Sequence, residues 1–245
     1  MKKYILLITI LITNFSIGQI KNGSVQYGKV TSKNVEGNKE MVDFFSKLLK
    51  EADKIEYTLN FNQKEAYFFA NSTLLEPAVD FNLAATLGRG ILKYYQNDET
   101  KEFRNYADNK RTGTVIFNLK QKYDWTMFNE SKIIDGYTCY KATTPYYQDG
   151  EKKESIIFTA WYTPEIPVSY GPIGFGGLPG LIMELQTDKS VFYVKTINLS
   201  TEPSIKIDKL LSPKAVSFEK YNEMLYSSIS EERKTEIKTS NSKIK

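Results

Sequence analysis

The amino-acid sequence predicts a mainly β protein: a strongly curved antiparallel sheet or partial barrel with one or two helices packed on it. Three observations carry that expectation. Aromatic residues make up 13% of the 245-residue chain, and they gather in alternating or β-branched runs. Asp135-Gly136 and Asp149-Gly150 separate such runs and suit type I′ hairpin turns, because glycine accepts positive φ and aspartate tolerates it. In Lys153–Tyr162, Ile156, Phe158, Ala160 and Tyr162 share one face while Ile157, Thr159 and Trp161 share the other. Both faces are largely apolar, as in a sheet covered on both sides or curved around an interior.

Each element follows from local pattern. After the Asn22-Gly23 turn signal, Ser24–Thr31 reads as a first strand. Met41, Phe44, Phe45, Leu48 and Leu49 then recur at spacings of three and four, which predicts one helical face beginning near Asn38. Strand character returns in Lys54–Asn62 and Lys64–Asn71, while Pro77–Gly90 fits either a short helix or a loop over the core. Ile91–Gln96, Glu102–Tyr106 and Thr114–Leu119 are three short strands, followed by the hairpin runs Trp125–Ile134, Tyr137–Tyr146 and Lys153–Tyr162. A last pair, Leu181–Leu185 and Val191–Leu199, precedes a helical stretch from about Ser217 with Phe218, Tyr221, Met224, Leu225 and Ile229 on its stripe.

The N-terminus predicts export. Lys2 and Lys3 precede an apolar run from Tyr4 to Ile12, and Ser16-Ile17-Gly18 supplies the small residues a signal peptidase reads. The expected organisation is a signal peptide over 1–18, cleaved between Gly18 and Gln19, one β-rich domain over 19–230, and a polar, fraying tail over 231–245. No later stretch reaches the ~18–20 apolar residues of a spanning helix, so no transmembrane span is expected after processing. The periplasm or the outer-membrane surface is the expected location. Net charge is +4, and loss of Lys2 and Lys3 leaves +2, which argues against nucleic-acid binding through bulk charge.

Histidine is absent, which excludes Ser-His-Asp and Cys-His catalysis and His-ligated zinc or haem. Cys139 is the single cysteine, cannot form an intrachain disulfide, and reads as a buried small apolar residue within a strand. No calcium-loop pattern is present, so neither a metal nor a cofactor is expected. Two distant carboxylates are one route to a hydrolase, but Asp98-Glu99 and Glu231-Glu232 read as solvated surface. Glu184 lies between Met183 and Leu185 in an apolar strand; it either faces outward or, if buried, needs a cationic or hydrogen-bonding partner.

The densest punctuation is GPIGFGGLPG at 171–180. It lacks the Lys-Ser/Thr of a phosphate loop, and Pro179 stands where a dinucleotide fingerprint needs its third glycine. A compact structural loop remains, with Gly180 expected in a backbone conformation closed to other residues. Gly177-Leu178-Pro179-Gly180-Leu181-Ile182 resembles the motif of the GLPGLI family of exported Bacteroidota proteins. Trp125, Lys132–Ala142, Ala160–Pro167 and Gly171-Pro172 extend the likeness. The chain is also similar to the bowl-like, non-catalytic N-terminal module of some peptide N-glycosidases. These resemblances imply a β-rich envelope protein and supply no catalytic residues.

The function expected is therefore an exported, non-catalytic binding or accessory protein holding a lipid, peptide or glycan on a concave aromatic face. A carboxylate hydrolase and a structural subunit of an outer-membrane assembly are the alternatives, the last marked by an exposed apolar patch in place of a pocket. Trp161, Tyr162, Phe175, Leu178, Pro179 and Gly180 are the candidate contacts for the small molecule, peptide, lipid or envelope protein.

Overall fold

Two meanders share one sheet. The computed structural model describes residues 22–32, 37–71, 75, 79, 84–85, 93–99, 102–109, 113–118, 123–147, 155–200, 205, 207–211, 214–217, 219–224 and 227. The first meander comprises β2 (Tyr57–Asn62), β3 (Glu65–Ala70), β4 (Lys93–Asn97), β5 (Glu102–Asn109) and β6 (Gly113–Asn118). The second comprises β7 (Thr126–Ile134), β8 (Tyr137–Tyr147), β9 (Ser155–Thr163), β10 (Leu181–Gln186) and β11 (Ser190–Ser200). The first strand, β1 (Asn22–Thr31), joins them by pairing with β2 on one side and β11 on the other. With β12 (Val216–Ser217) the 12-stranded order is β12-β6-β5-β4-β3-β2-β1-β11-β10-β9-β8-β7. Pairing is antiparallel except for β12 on β6.

The predicted strands are found, with ends displaced by one to three residues. Asp135 (φ 49°) and Gly136 (φ 82°) both take positive φ, as a type I′ turn between β7 and β8 requires. Register shifts at Gln26/Tyr27, Met127/Ser131 and Ile182/Glu184 interrupt the ladders. Such bulges add local twist and bend a sheet. The curvature has a visible consequence: the 3-10 turn at Pro172–Gly174, carried between β9 and β10, packs on β3 and β4 from the other meander. Tyr94 of β4 and Ala142 of β8 accordingly belong to one hydrophobic core.

That core is aromatic. Tyr57 stacks on Phe68 at 5.5 Å and meets Phe192 edge-on at 5.3 Å. Such pairs add roughly 0.5–1.5 kcal/mol beyond the area they bury. The Tyr27 hydroxyl donates to the Ile182 carbonyl at 2.7 Å, tying β1 to β10 through the interior. Cys139 is fully buried, as expected, and burial pushes its thiol up to about 11.

Helix α1 (Lys39–Ala52) starts where predicted, with the Asn38 side chain accepting from the Met41 amide at 2.9 Å. Only the C-terminal half of its apolar stripe is covered. Leu48, Leu49 and Ala52 are buried, whereas Met41 and Phe44 remain 48% and 57% exposed. Residues 219–224 are helical, and Tyr221 stacks on Phe117 of β6 at 4.3 Å. Val115, Phe117 and Tyr221 form a small cluster separate from the main core. The signal segment 1–18, the Asp149-Gly150 turn, most of Pro77–Gly90, Phe218, Leu225, Ile229 and the tail lie outside the described residues. Among the described residues no helix is long and apolar enough to cross a membrane.

Candidate functional site

The glycine segment is a plug in the sheet's interior, held by backbone contacts. Gly177 N–H donates to Ser169 O at 3.1 Å, Leu181 N–H to Ile166 O at 3.0 Å, and Ile182 N–H to Tyr170 O at 3.0 Å. The Trp125 indole donates to Gly176 O at 2.9 Å. Phe175 stacks on Tyr123 at 4.3 Å and leans on Phe158 at 5.6 Å, so the loop's aromatic tip faces the core. Burial pushes the Tyr123 and Tyr170 hydroxyls well above the usual phenol range, keeping both neutral.

Its glycines serve two separate needs. Gly174 and Gly177 take positive φ of 79° and 85°. Gly180 does not, contrary to the expectation of a special backbone conformation. Its constraint is space: an added Cβ would fall on the Thr163 carbonyl and lie 2.8 Å from Pro164 N. The motif's last glycine therefore lets the segment pass against the end of β9.

A polar strip crosses the outer side of the second meander. Register places Trp161 of β9 opposite Lys141 of β8 and Glu184 of β10. Lys132 Nζ lies 4.5 Å above the Trp161 ring and 2.8 Å from Glu184 Oε2, while Gln186 donates to Glu184 Oε1 at 2.7 Å. Glu184 thus faces outward and has the partner that partial burial demands; its side chain is 17% exposed. Beside it Lys141 pairs with Glu130 at 3.0 Å and sits 5.4 Å from the Phe128 ring centroid.

The candidate contact residues divide between interior and surface. Tyr162, Phe175, Leu178 and Gly180 are buried, Trp161 is partly exposed in the strip, and Pro179 is exposed. Gly18 and Gln19 lie outside the described residues. Among the described residues, exposed large apolar side chains lie on α1 (Met41, Phe44), at Val30, Tyr193 and Leu211, and, most densely, at the free edge of β7. Along and near that edge Met127, Phe128, Ile133 and Ile157 are 58%, 39%, 66% and 58% exposed. Sequence reasoning missed the edge, because strand order is invisible in a single chain of alternating runs. It also missed Lys29, 1% exposed inside the sheet. Its signal was available: Lys29 follows Tyr27 by two residues, the spacing of one strand face.

A family model described as a protein of unknown function (Porph_ging) matches residues 146–184, the stretch that contains the glycine plug. No curated protein matches the chain. Two solved structures of PNGF-II, in space groups C2 and P21, match with a TM-score of 0.54 and 16% identity. Each match covers 85% of this chain and 33% or 34% of PNGF-II, so the chain spans about a third of that protein's length. At such identity the likeness is one of fold. Residues 146–184 thus match the model of the GLPGLI-type Porph_ging family, and the chain resembles, in fold, part of the peptide N-glycosidase PNGF-II.

Proposed function

We propose that this chain is an exported, non-catalytic accessory protein of the cell envelope that binds a protein partner along β7. The observation that carries this reading is an open sheet edge flanked by exposed apolar side chains. Among the described residues β7 is the terminal strand of the sheet, it is exposed over most of its length, and large apolar side chains flank it. Exposed edge strands recruit further strands unless something blunts them, and exposed apolar clusters mark contact surfaces. The polar strip supplies oriented charges beside the edge, which favours one partner over others.

A photo-crosslinking amino acid at Ser131, exposed on β7, tests this in the native envelope. One cross-linked protein species is expected, weakened by Ile133→Lys, with intact mass showing a chain that begins at Gln19. Equal cross-linking from Gln26, exposed on β1, would overturn the proposed surface. Turnover of a glycopeptide that is lost in Glu184→Gln would instead support the hydrolase alternative.

A further inference from the structure

Among the described residues, four buried hydrogen-bond donors near the end of β1 have no partner. They are Lys29 Nζ and the hydroxyls of Thr31, Tyr57 and Ser190, in residues that are 1%, 3%, 0% and 3% exposed. Register gathers them. Thr31 pairs directly with Ser190, and Lys29, two residues earlier in β1, pairs with Phe192. Lys29 Nζ lies 5.5 Å from the centroid of the Tyr57 ring, and that ring meets Phe192 edge-on. Lys29 and Tyr57 both feel the charge of Asp53, in the turn after α1, and Asp53 Oδ1 accepts from the Thr31 amide at 2.7 Å. The polar tips therefore lie toward the Thr31 end of β1, beside Asp53.

A buried amine with no acceptor costs several kcal/mol, and an apolar residue of similar volume is often as stable or more so. The cluster is donor-rich and wants an acceptor. An anion is disfavoured by the Asp53 carboxylate, so a neutral acceptor fits better. Burial also lowers the Lys29 amine to about 8, against an ordinary 10.5, which leaves a reactive free-amine fraction at neutral pH.

We infer that this cluster is a covalent capture site for a small neutral aldehyde or ketone, with Lys29 as the nucleophile. The Nζ lone pair attacks the carbonyl carbon while the carbonyl oxygen takes a proton, giving a carbinolamine. Loss of one water, carrying the former carbonyl oxygen, forms the imine, and no redox partner is needed. The Tyr57, Thr31 and Ser190 hydroxyls are the donors available to the carbonyl oxygen. This inference is independent of partner binding at β7.

Propanal and sodium cyanoborohydride, added to the full folded chain at neutral pH, would trap the imine as a propyl-lysine. Peptide mapping by mass spectrometry then ranks the lysines. Lys29 is expected to label about tenfold or more faster than exposed Lys189, because burial lowers its amine and so enlarges its free-amine fraction. Tyr57→Phe should slow labelling at Lys29 and leave Lys189 unchanged. Labelling of Lys29 no faster than Lys189, or only after unfolding in urea, would overturn the inference. The wild-type map decides between these outcomes whether or not the variants fold.

Discussion

At the residue scale the glycine plug separates two mechanisms that a motif alone merges. Gly180 is held by a close approach and Gly177 by its backbone angle. Gly180→Ala forces a Cβ against the Thr163 carbonyl and Pro164 N, and backbone atoms give way poorly. A loss of about 1–3 kcal/mol is expected, the range for overpacking a tight site. Gly177→Ala meets nothing within 4 Å and suffers only from a positive φ of 85°, at a cost of about 1 kcal/mol. Urea unfolding of both variants checks the order: if Gly177→Ala proves the more damaging, the space argument for Gly180 is wrong.

Lys132 illustrates a smaller effect at the same scale. Its ammonium serves both Trp161 and Glu184, but its side chain is 35% exposed, so solvent screens the pair. Its contribution lies in orienting Trp161 and Glu184 more than in stability.

At the element scale the C-terminal helical residues dock on β6 through a cluster of their own. The Tyr221–Phe117 stack at 4.3 Å is its centre, with Val216 and Met224 packed around it. Separate clusters open separately. Tyr221→Ala should therefore raise hydrogen exchange across 219–224 and β12 while exchange in β1, β2 and β11 stays unchanged. Faster exchange spreading equally into β1 would show that the cluster and the main core unfold as one unit. Helix α1 presents the contrasting case. Its spacing pattern gave the helix and its start, yet half the stripe is uncovered, because periodicity reports which residues share a face and not what packs against it.

At the scale of the whole molecule, the central pairing closes the longest stretch of chain. β1 pairs with β11 from Asn22↔Ser200 to Thr31↔Ser190, and both meanders hang from that contact. Non-local pairing must overcome loop-closure entropy before it gains anything, so refolding is expected on the millisecond-to-second scale. Val191→Ala, at a partly exposed position facing Val30, should slow refolding if β1–β11 pairing forms in the transition state. Stopped-flow fluorescence of the tryptophans reads this out, and microsecond refolding would contradict it.

Local chemistry was legible in the order of the residues. The strands, the Asp135-Gly136 turn, the start of α1, the burial of Cys139 and the fold class all depend on residues near one another in the chain. Short-range sterics and periodicity suffice for these. The place of β1 between two meanders, the exposed β7 edge, the interior position of the glycine plug, the Lys132–Glu184 pair and the burial of Lys29 depend on contacts far apart in sequence. Those contacts emerge on folding, since strand order and curvature set which face of each strand meets solvent, and a period of two states only that the faces differ.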